Sequence, residues 1–373
     1  MRLGTFNVEN LFDRAKAMNQ ETWELGKPAL DDYHRLTVLT QQDSYSDKDK
    51  TAMLTIMGRH EGLIKKGEST FLRLRENRGD FIKVPKKTPP IIVANGRGNW
   101  IGWFELQTEP VEDIATENTA RVIKEIDVDV LCVVEAEDRT VLKRFNSDVI
   151  SKVKYAPYDH VMLIDGNDDR GIDVGIMTRK DYPIQKIASH VDDLDAKGGI
   201  FSRDCPAYLV ETPGGNKLMV LINHFKSKGY GRTEESNEKR TRQAKRVREI
   251  YEARLQEGYE FIAIAGDLNN APDSGGPLDP LLKDSGLVDV MSLSPPIFVG
   301  DGRTGTHGNG TKDAKFDYIL MSPMLQSAVK SAGIERRGVW GGKNGTLFPH
   351  FPEIKEPKDA GSDHAALWVE LDI

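Results

Sequence analysis

The chain has 373 residues, with 58 acidic against 51 basic side chains, a formal charge of −7 and 38% apolar residues. That apolar share supports a sizeable core, while the acidic balance gives no general attraction for nucleic acid and leaves local patches or bound cations to supply it. Two cysteines, Cys132 and Cys205, imply no disulfide framework and are expected to be buried thiols; no apolar run reaches the length of a membrane span.

The opening residues, MRLGTFNVEN, lack a charged-then-apolar leader, so the expectation is a chain without a signal peptide and a cytoplasmic location; a trimmed secreted form reads the same way. Leu3–Val8 is the first short apolar run, and Asn7 stands near its end. From Asp13 to about Pro110 the chain is polar, with Gly and basic residues throughout. Loops of that length without secondary structure are uncommon. The region is therefore predicted to be an elaboration at about 13–110, inserted into a single domain spanning 1–373. Its expected elements are a helix near Asp47–Met57 and strands near Thr70–Val84, Ile91–Ala94 and Trp100–Leu106. Within it, Arg59–Lys87 holds nine Lys/Arg against four Asp/Glu.

Glu112–Ile126 spaces apolar residues as a helix does, and Val128–Val134 then reads as a strand ending at Glu135. Strand-like runs follow at His160–Ile164, Ile172–Met177, Ala207–Val210 and Lys217–Ile222, the last leading into His224 of NHFKSKG. Glu234–Gln256 is a charged helix with Ala244, Val247, Ile250, Tyr251 and Leu255 as its apolar stripe. Phe261–Ala265 runs into Asp267 and Asn269 of GDLNNAPDS, Phe316–Met321 carries Asp317, and Asp363 and His364 precede Ala365–Leu371. Several runs are apolar on both faces, the mark of strands covered on both sides. The short links between them favour a mixed α/β sandwich over a doubly wound parallel sheet.

The polar residues after these runs share a chemistry. Carboxylates, amides and imidazoles held at rigid strand ends suit a hard divalent cation beside a general base. The chain has no G-x-S-x-G elbow, no Cys/His zinc spacing and no Walker loop.

In order, TFNVEN, VVEAED, NHFKSKG, GDLNNAP, KFDYIL and GSDHAAL resemble the motifs of the endonuclease/exonuclease/phosphatase superfamily, which includes pancreatic-type deoxyribonuclease. The resemblance spans the first dozen residues and roughly Ala120 to the end, leaving out 13–110. It implies a four-layer α/β/β/α sandwich, two packed mixed sheets flanked by helices. It also implies a Mg²⁺ cofactor, with Mn²⁺ as the other candidate. By the same resemblance Glu135, Asp363 and Asn7 form the metal site, and Asn7 also binds phosphate. Asp267 orients or deprotonates the attacking water. Asn269 contacts phosphate beside it. His224 hydrogen-bonds a phosphate oxygen, and Asp317 pairs with His364. Val134 stands where apurinic endonucleases carry Gln, which removes one polar contact.

Arg170 and Arg203 read equally well as phosphate clamps or as Arg–Asp pairs pinning loops. For the substrate, the expectation is nucleic acid, DNA ahead of RNA, hydrolysed by metal-assisted attack of water. Lys226, Lys228 and Arg232 follow His224, Lys239–Glu249 adds six cations, and Phe71, Phe81 and Trp100 are candidates for base stacking. Against this, Glu234, Glu235, Glu238 and Glu249 make that helix an ordinary solvated face. The alternative is a phosphomonoesterase or a phospholipid or inositol-phosphate hydrolase. A silent binding module is disfavoured by the presence of Glu135, Asp267 and His364. No aromatic-tipped hairpin for membrane docking and no protein partner is readable, so a monomer is expected.

Overall fold

The computed structural model describes the chain apart from residues 10, 12, 19–22, 111–112, 169–170, 228–232 and 274. It divides into two compact units, Asp13–Pro110 forming most of one and the N-terminal strand with the residues beyond Pro110 forming the other.

The larger unit holds two mixed sheets. In the seven-stranded sheet the order is Phe298–Val299, Val329–Glu335, Ala366–Leu371, Arg2–Asn7, Val130–Ala136, Asp173–Thr178, His160–Ile164. In the six-stranded sheet it is Ile184–Ala188, Ala207–Glu211, Lys217–His224, Phe261–Asp267, Asp317–Met321, Val288–Asp289. Alternation along each strand makes the layers. Val130, Cys132 and Val134 join Val220, Ile222, Ala263 and Ala265 in the core between the sheets. Leu131 and Val133 face the other way, onto Val122, Ile123 and Ile126 of the helix Asp113–Ile126. Leu221, Ile262 and Ile264 likewise pack on Ala244, Val247 and Ile250 of the helix Thr233–Gln256. Strands covered on both faces therefore build a helix–sheet–sheet–helix sandwich, as the apolar runs predict. Both cysteines are buried and unpaired with each other. Among the described residues no helix is long and apolar enough to cross a membrane.

The smaller unit has its own core of Leu36, Tyr45, Met53, Ile56, Met57, Leu72, Phe81, Trp100 and Phe104. The expected helix runs Asp47–Gly58 and starts at a capping box between Ser46 and Asp49. The expected long strand near Thr70–Val84 is two, Leu72–Arg78 and Ile82–Lys83, broken at Gly79, whose φ is +74°. A helix not foreseen, Trp23–Thr40, carries Pro28 in its interior, a residue that normally argues against helix.

Phe81 and Trp100 are not available as stacking aromatics. Phe81 and Trp100 are buried with ring centroids 4.4 Å apart, and Phe71 packs against the same core. The Trp100 indole donates to the Tyr45 hydroxyl at 3.0 Å, so even its polar atom is satisfied internally.

The last strand, Ala366–Leu371, lies inside the seven-stranded sheet between Val329–Glu335 and Arg2–Asn7. Deleting residues 364–373 is expected to abolish cooperative urea unfolding, because it splits that sheet. A sharp transition in the truncated chain would contradict the topology.

Candidate active site

Site residues gather where parallel and antiparallel strands share one rim. Lys217–His224 runs parallel to Phe261–Asp267, setting His224 opposite Asp267. Asp317–Met321 runs antiparallel to Phe261–Asp267 and so begins at that same end, with Asp317 opposite Asp267. In the facing sheet Arg2–Asn7 runs parallel to Val130–Ala136 with Asn7 opposite Val134, and the antiparallel last strand begins beside them. Polar residues from strands far apart in sequence thus arrive together.

Three contacts cross between the sheets at this rim. The Asn7 amide nitrogen donates to Asp267 Oδ2 at 3.2 Å, His364 Nδ1 lies 2.7 Å from Asp317 Oδ2, and His224 Nε2 lies 3.4 Å from Glu135 Oε1. His364 Nε2 faces Asp267 Oδ2 at 3.9 Å and Asp363 Oδ1 at 3.7 Å. Asn7, His224, Asp267, Asp317 and His364 are all buried.

Close approach of backbone makes this possible at Gly266. Its φ is +125°, and a Cβ there would lie 2.0 Å from the Asn223 carbonyl oxygen. Only glycine lets the two parallel strands meet with Asp267 turned toward His224. Glu135 and Asn269 also hold left-handed backbone, with φ of +67° and +52°, though neither is glycine. Such conformations cost about 1–3 kcal/mol each and persist where the surroundings enforce them.

Electrostatics separates the groups. Burial, with the Asp317 charge adding to it, pushes the Asp267 carboxyl up to about 7. Burial opposes the charged form of His364, but the Asp317 and Asp363 carboxylates outweigh it and hold the imidazole well above its ordinary range.

The donor set fits a cation. Ligand atoms of Glu135, His224 and Asp267 lie within 4.8 Å of one another, as do those of Asp267, Asp317 and His364, and those of His307, Asp363 and His364. Burial first, and the neighbouring Asp317 charge second, disfavour the charged Asp267 carboxylate; a cation held among these groups would favour it.

Several expected roles change. Asn7 turns its amide nitrogen, not its oxygen, toward Asp267, because its Oδ1 accepts from the Glu9 N–H at 3.0 Å; it is not placed as an oxygen ligand. Arg203 is not placed to meet a phosphate, since it is buried, pairs with Asp168 at 3.0 Å and donates to the Phe225 carbonyl at 3.3 Å. That is the loop-pinning arrangement. Asn269 gives its amide nitrogen to the Phe225 carbonyl at 3.2 Å and its backbone N–H to Asp267 Oδ1 at 2.7 Å. The half-buried Lys226 has its backbone N–H bonded to Gln243 Oε1 at 2.9 Å. Glu135 and Asp363 fall in different ligand groups. Arg170, Lys228 and Arg232 lie outside the described residues.

The basic helix meets a partner that neither reading of the sequence supplied. Arg242 Nε donates to Asp195 at 2.6 Å, Arg246 to Asp193 at 2.7 Å, and Lys239 to the Gly199 carbonyl at 2.5 Å. All three acceptors sit on or beside the small hairpin Leu194–Asp195/Gly198–Gly199. Arg240 is buried and donates to the Lys226 carbonyl at 2.8 Å, Arg248 pairs with Glu252, and Lys245 is exposed. The helix's cations mostly hold the protein together.

Two residues of the rim escaped the sequence reading. Glu9 accepts from the Asp363 N–H at 2.8 Å, and His307 Nε2 lies 3.1 Å from Asp363 Oδ2. The signal for Glu9 is its place two residues beyond Asn7. His307 has none beyond a His in the glycine-rich loop before KFDYIL.

A profile of the Endonuclease/Exonuclease/phosphatase family matches residues 76–288. The chain belongs to this family. The matched span holds Glu135, His224, Asp267 and Asn269 and begins within the smaller unit. No curated protein sequence matches the chain. Solved structures similar to it include truncated TDP2 of Caenorhabditis elegans, at 18% identity over 69% of this chain and 90% of that one, TM-score 0.47. The mannosyl-6-phosphatase Bt3783 of Bacteroides thetaiotaomicron is similar at 17% identity over 70% and 92%, TM-score 0.48. The human Nocturnin catalytic domain is similar at 15% over 69% and 86%, TM-score 0.46. As a member of this family the chain is a phosphoesterase, and its buried His/Asp cluster fits the active site of a metal-dependent hydrolase.

Gly266→Ala is expected to destabilise the larger unit by about 1–3 kcal/mol through backbone strain alone, read as a lower urea midpoint. An unchanged midpoint would contradict the close-approach account.

Proposed function

We propose that the chain is a Mg²⁺-dependent phosphodiesterase that hydrolyses nucleic acid, DNA ahead of RNA. The observation that carries the chemistry is the buried line Asp317–His364–Asp267, with 2.7 Å and 3.9 Å between its members. A phosphodiester is anionic and repels hydroxide, so catalysis needs a proton acceptor for water and fixed positive charge on the phosphoryl oxygens. Asp267 is the acceptor, oriented by the Asn7 amide and the Asn269 N–H. His364, held charged by Asp317, supplies an imidazolium to the phosphoryl group. His224 is a second donor to phosphate. Water attacks phosphorus, its proton passes to Asp267, and the ester oxygen departs with a proton from solvent or from His364.

Glu135 would hold the metal from the group it forms with His224 and Asp267, and Asp363 from the adjoining group it forms with His307 and His364. Mg²⁺ bound there would supply charge neutralisation for the phosphoryl group, and carboxylates plus waters suit such an ion; Mn²⁺ is the other candidate.

Nucleic acid is supported by the basic segment Arg59–Lys87, nine Lys/Arg against four Asp/Glu. A second reading, hydrolysis of a small phosphomonoester or inositol phosphate, is favoured by the engagement of the basic helix with Asp193–Gly199.

Purified protein incubated with plasmid, linear DNA, RNA and inositol phosphates, with Mg²⁺ or with chelator, separates the two. Nicking or degradation of nucleic acid that stops with chelator is expected. Phosphate release from inositol compounds with intact plasmid would reverse the order. Asp267→Asn and His364→Ala should each lower kcat by about 10²–10⁴-fold with an unchanged circular dichroism spectrum; near-normal rates in either variant would sink the assignment.

A further inference from the structure

The smaller unit carries an outward face that its own core does not use. Leu72–Arg78 pairs with Ile101–Leu106 so that Arg73 stands opposite Glu105 and Arg75 opposite Trp103. Leu72, Leu74 and Phe104 point inward, leaving Arg73, Arg75, Trp103, Glu105 and Ile101 on the other side. Trp103 is 43% exposed, an unusual position for the largest apolar side chain. Glu105 orders the face, accepting from Arg75 Nε at 2.7 Å and from the Trp103 indole at 3.3 Å. The guanidinium and the indole are therefore held side by side before anything binds.

Arg73 also lines a pocket of about 380 Å³ together with Lys16, Lys66, Glu68, Ser69 and Gln107. Face and pocket together hold four cations, Lys16, Lys66, Arg73 and Arg75, against two carboxylates, Glu68 and Glu105. Cations that track a backbone beside an exposed aromatic ring are what sequence-tolerant recognition of a single strand requires: charge for the phosphates and a platform for a base.

We propose that this ribbon docks single-stranded nucleic acid, with phosphates over Arg73, Arg75 and the pocket and a base on Trp103. The proposal rests on the nucleic-acid reading above and adds the surface that selects an unpaired strand. Duplex DNA presents no base face to stack, so the ribbon favours single-stranded over double-stranded ligands.

The test is fluorescence anisotropy of a labelled single-stranded thymidine oligonucleotide with the full chain in chelator, where turnover is stopped. Trp103→Ala is expected to weaken binding about five- to a hundredfold, and Trp103→Phe, which keeps a ring, to restore most of it. Arg73→Glu with Arg75→Glu should weaken binding further and flatten log Kd against log salt by about 0.7 for each phosphate no longer neutralised. Matching thermal melting curves show that each variant is folded. If the wild type binds the oligonucleotide and all variants bind equally, the ribbon proposal falls while the nucleic-acid reading stands. If the wild type binds no oligonucleotide, or instead binds phosphatidylserine vesicles through Trp103, the ribbon proposal falls, and the nucleic-acid reading stands or falls on the plasmid, linear DNA and RNA incubations.

Discussion

Three polar contacts between the facing sheets, Asn7 with Asp267, His364 with Asp317 and His224 with Glu135, hold the rim on which the chemistry depends. Each joins one sheet, or the turn leading into its last strand, to the other sheet. None is possible unless both sheets keep their register, because a slip of one residue turns every side chain to the opposite face. The apolar core between the sheets therefore does more than stabilise. Val134 and Ile222 fix, one and two positions away, where Glu135 and His224 emerge.

The rim is also where the fold works against itself. Asp267 and Asp317 are buried side by side, and Asp267 resists ionisation as a result. His364 stabilises the pair only by being charged, and burial opposes that charge. Removing one partner of such a cluster leaves a buried charge uncompensated. Two residues beside it, Glu135 and Asn269, hold strained backbone. Concentrated strain and crowded charge beside an apolar core are the pattern expected of a site kept for its chemistry. Ser362 belongs to the scaffold, since its hydroxyl donates to the Asn7 carbonyl at 2.7 Å and accepts the His364 N–H at 2.9 Å. It ties the first strand to the turn that presents His364.

Most of the sandwich is legible in the sequence because strands buried on both faces are apolar without interruption, and their polar ends stand out. Asn7, Glu135, His224, Asp267, Asp317 and His364 are visible for that reason. What depends on distant partners is not. The cations of Lys239–Glu249 read as a solvent-facing patch until Asp193, Asp195 and Gly199 arrive against them from 40 to 53 residues earlier in the chain. Phe81 and Trp100 sit in a polar stretch, and only tertiary packing makes them core. His307 joins the site because its loop bridges to His364, a pairing that no local pattern announces. The strands Ile184–Ala188 and Val329–Glu335 are half exposed, and their mixed composition hides them.

The central claim is that Asp317 serves turnover by orienting His364 and holding it charged. A double-mutant cycle on kcat, with Asp317→Asn, His364→Ala and the combination, tests it directly. The account predicts that the double variant is no slower than His364→Ala alone. Additive losses, with the double variant slower by the product of the two single effects, would contradict it.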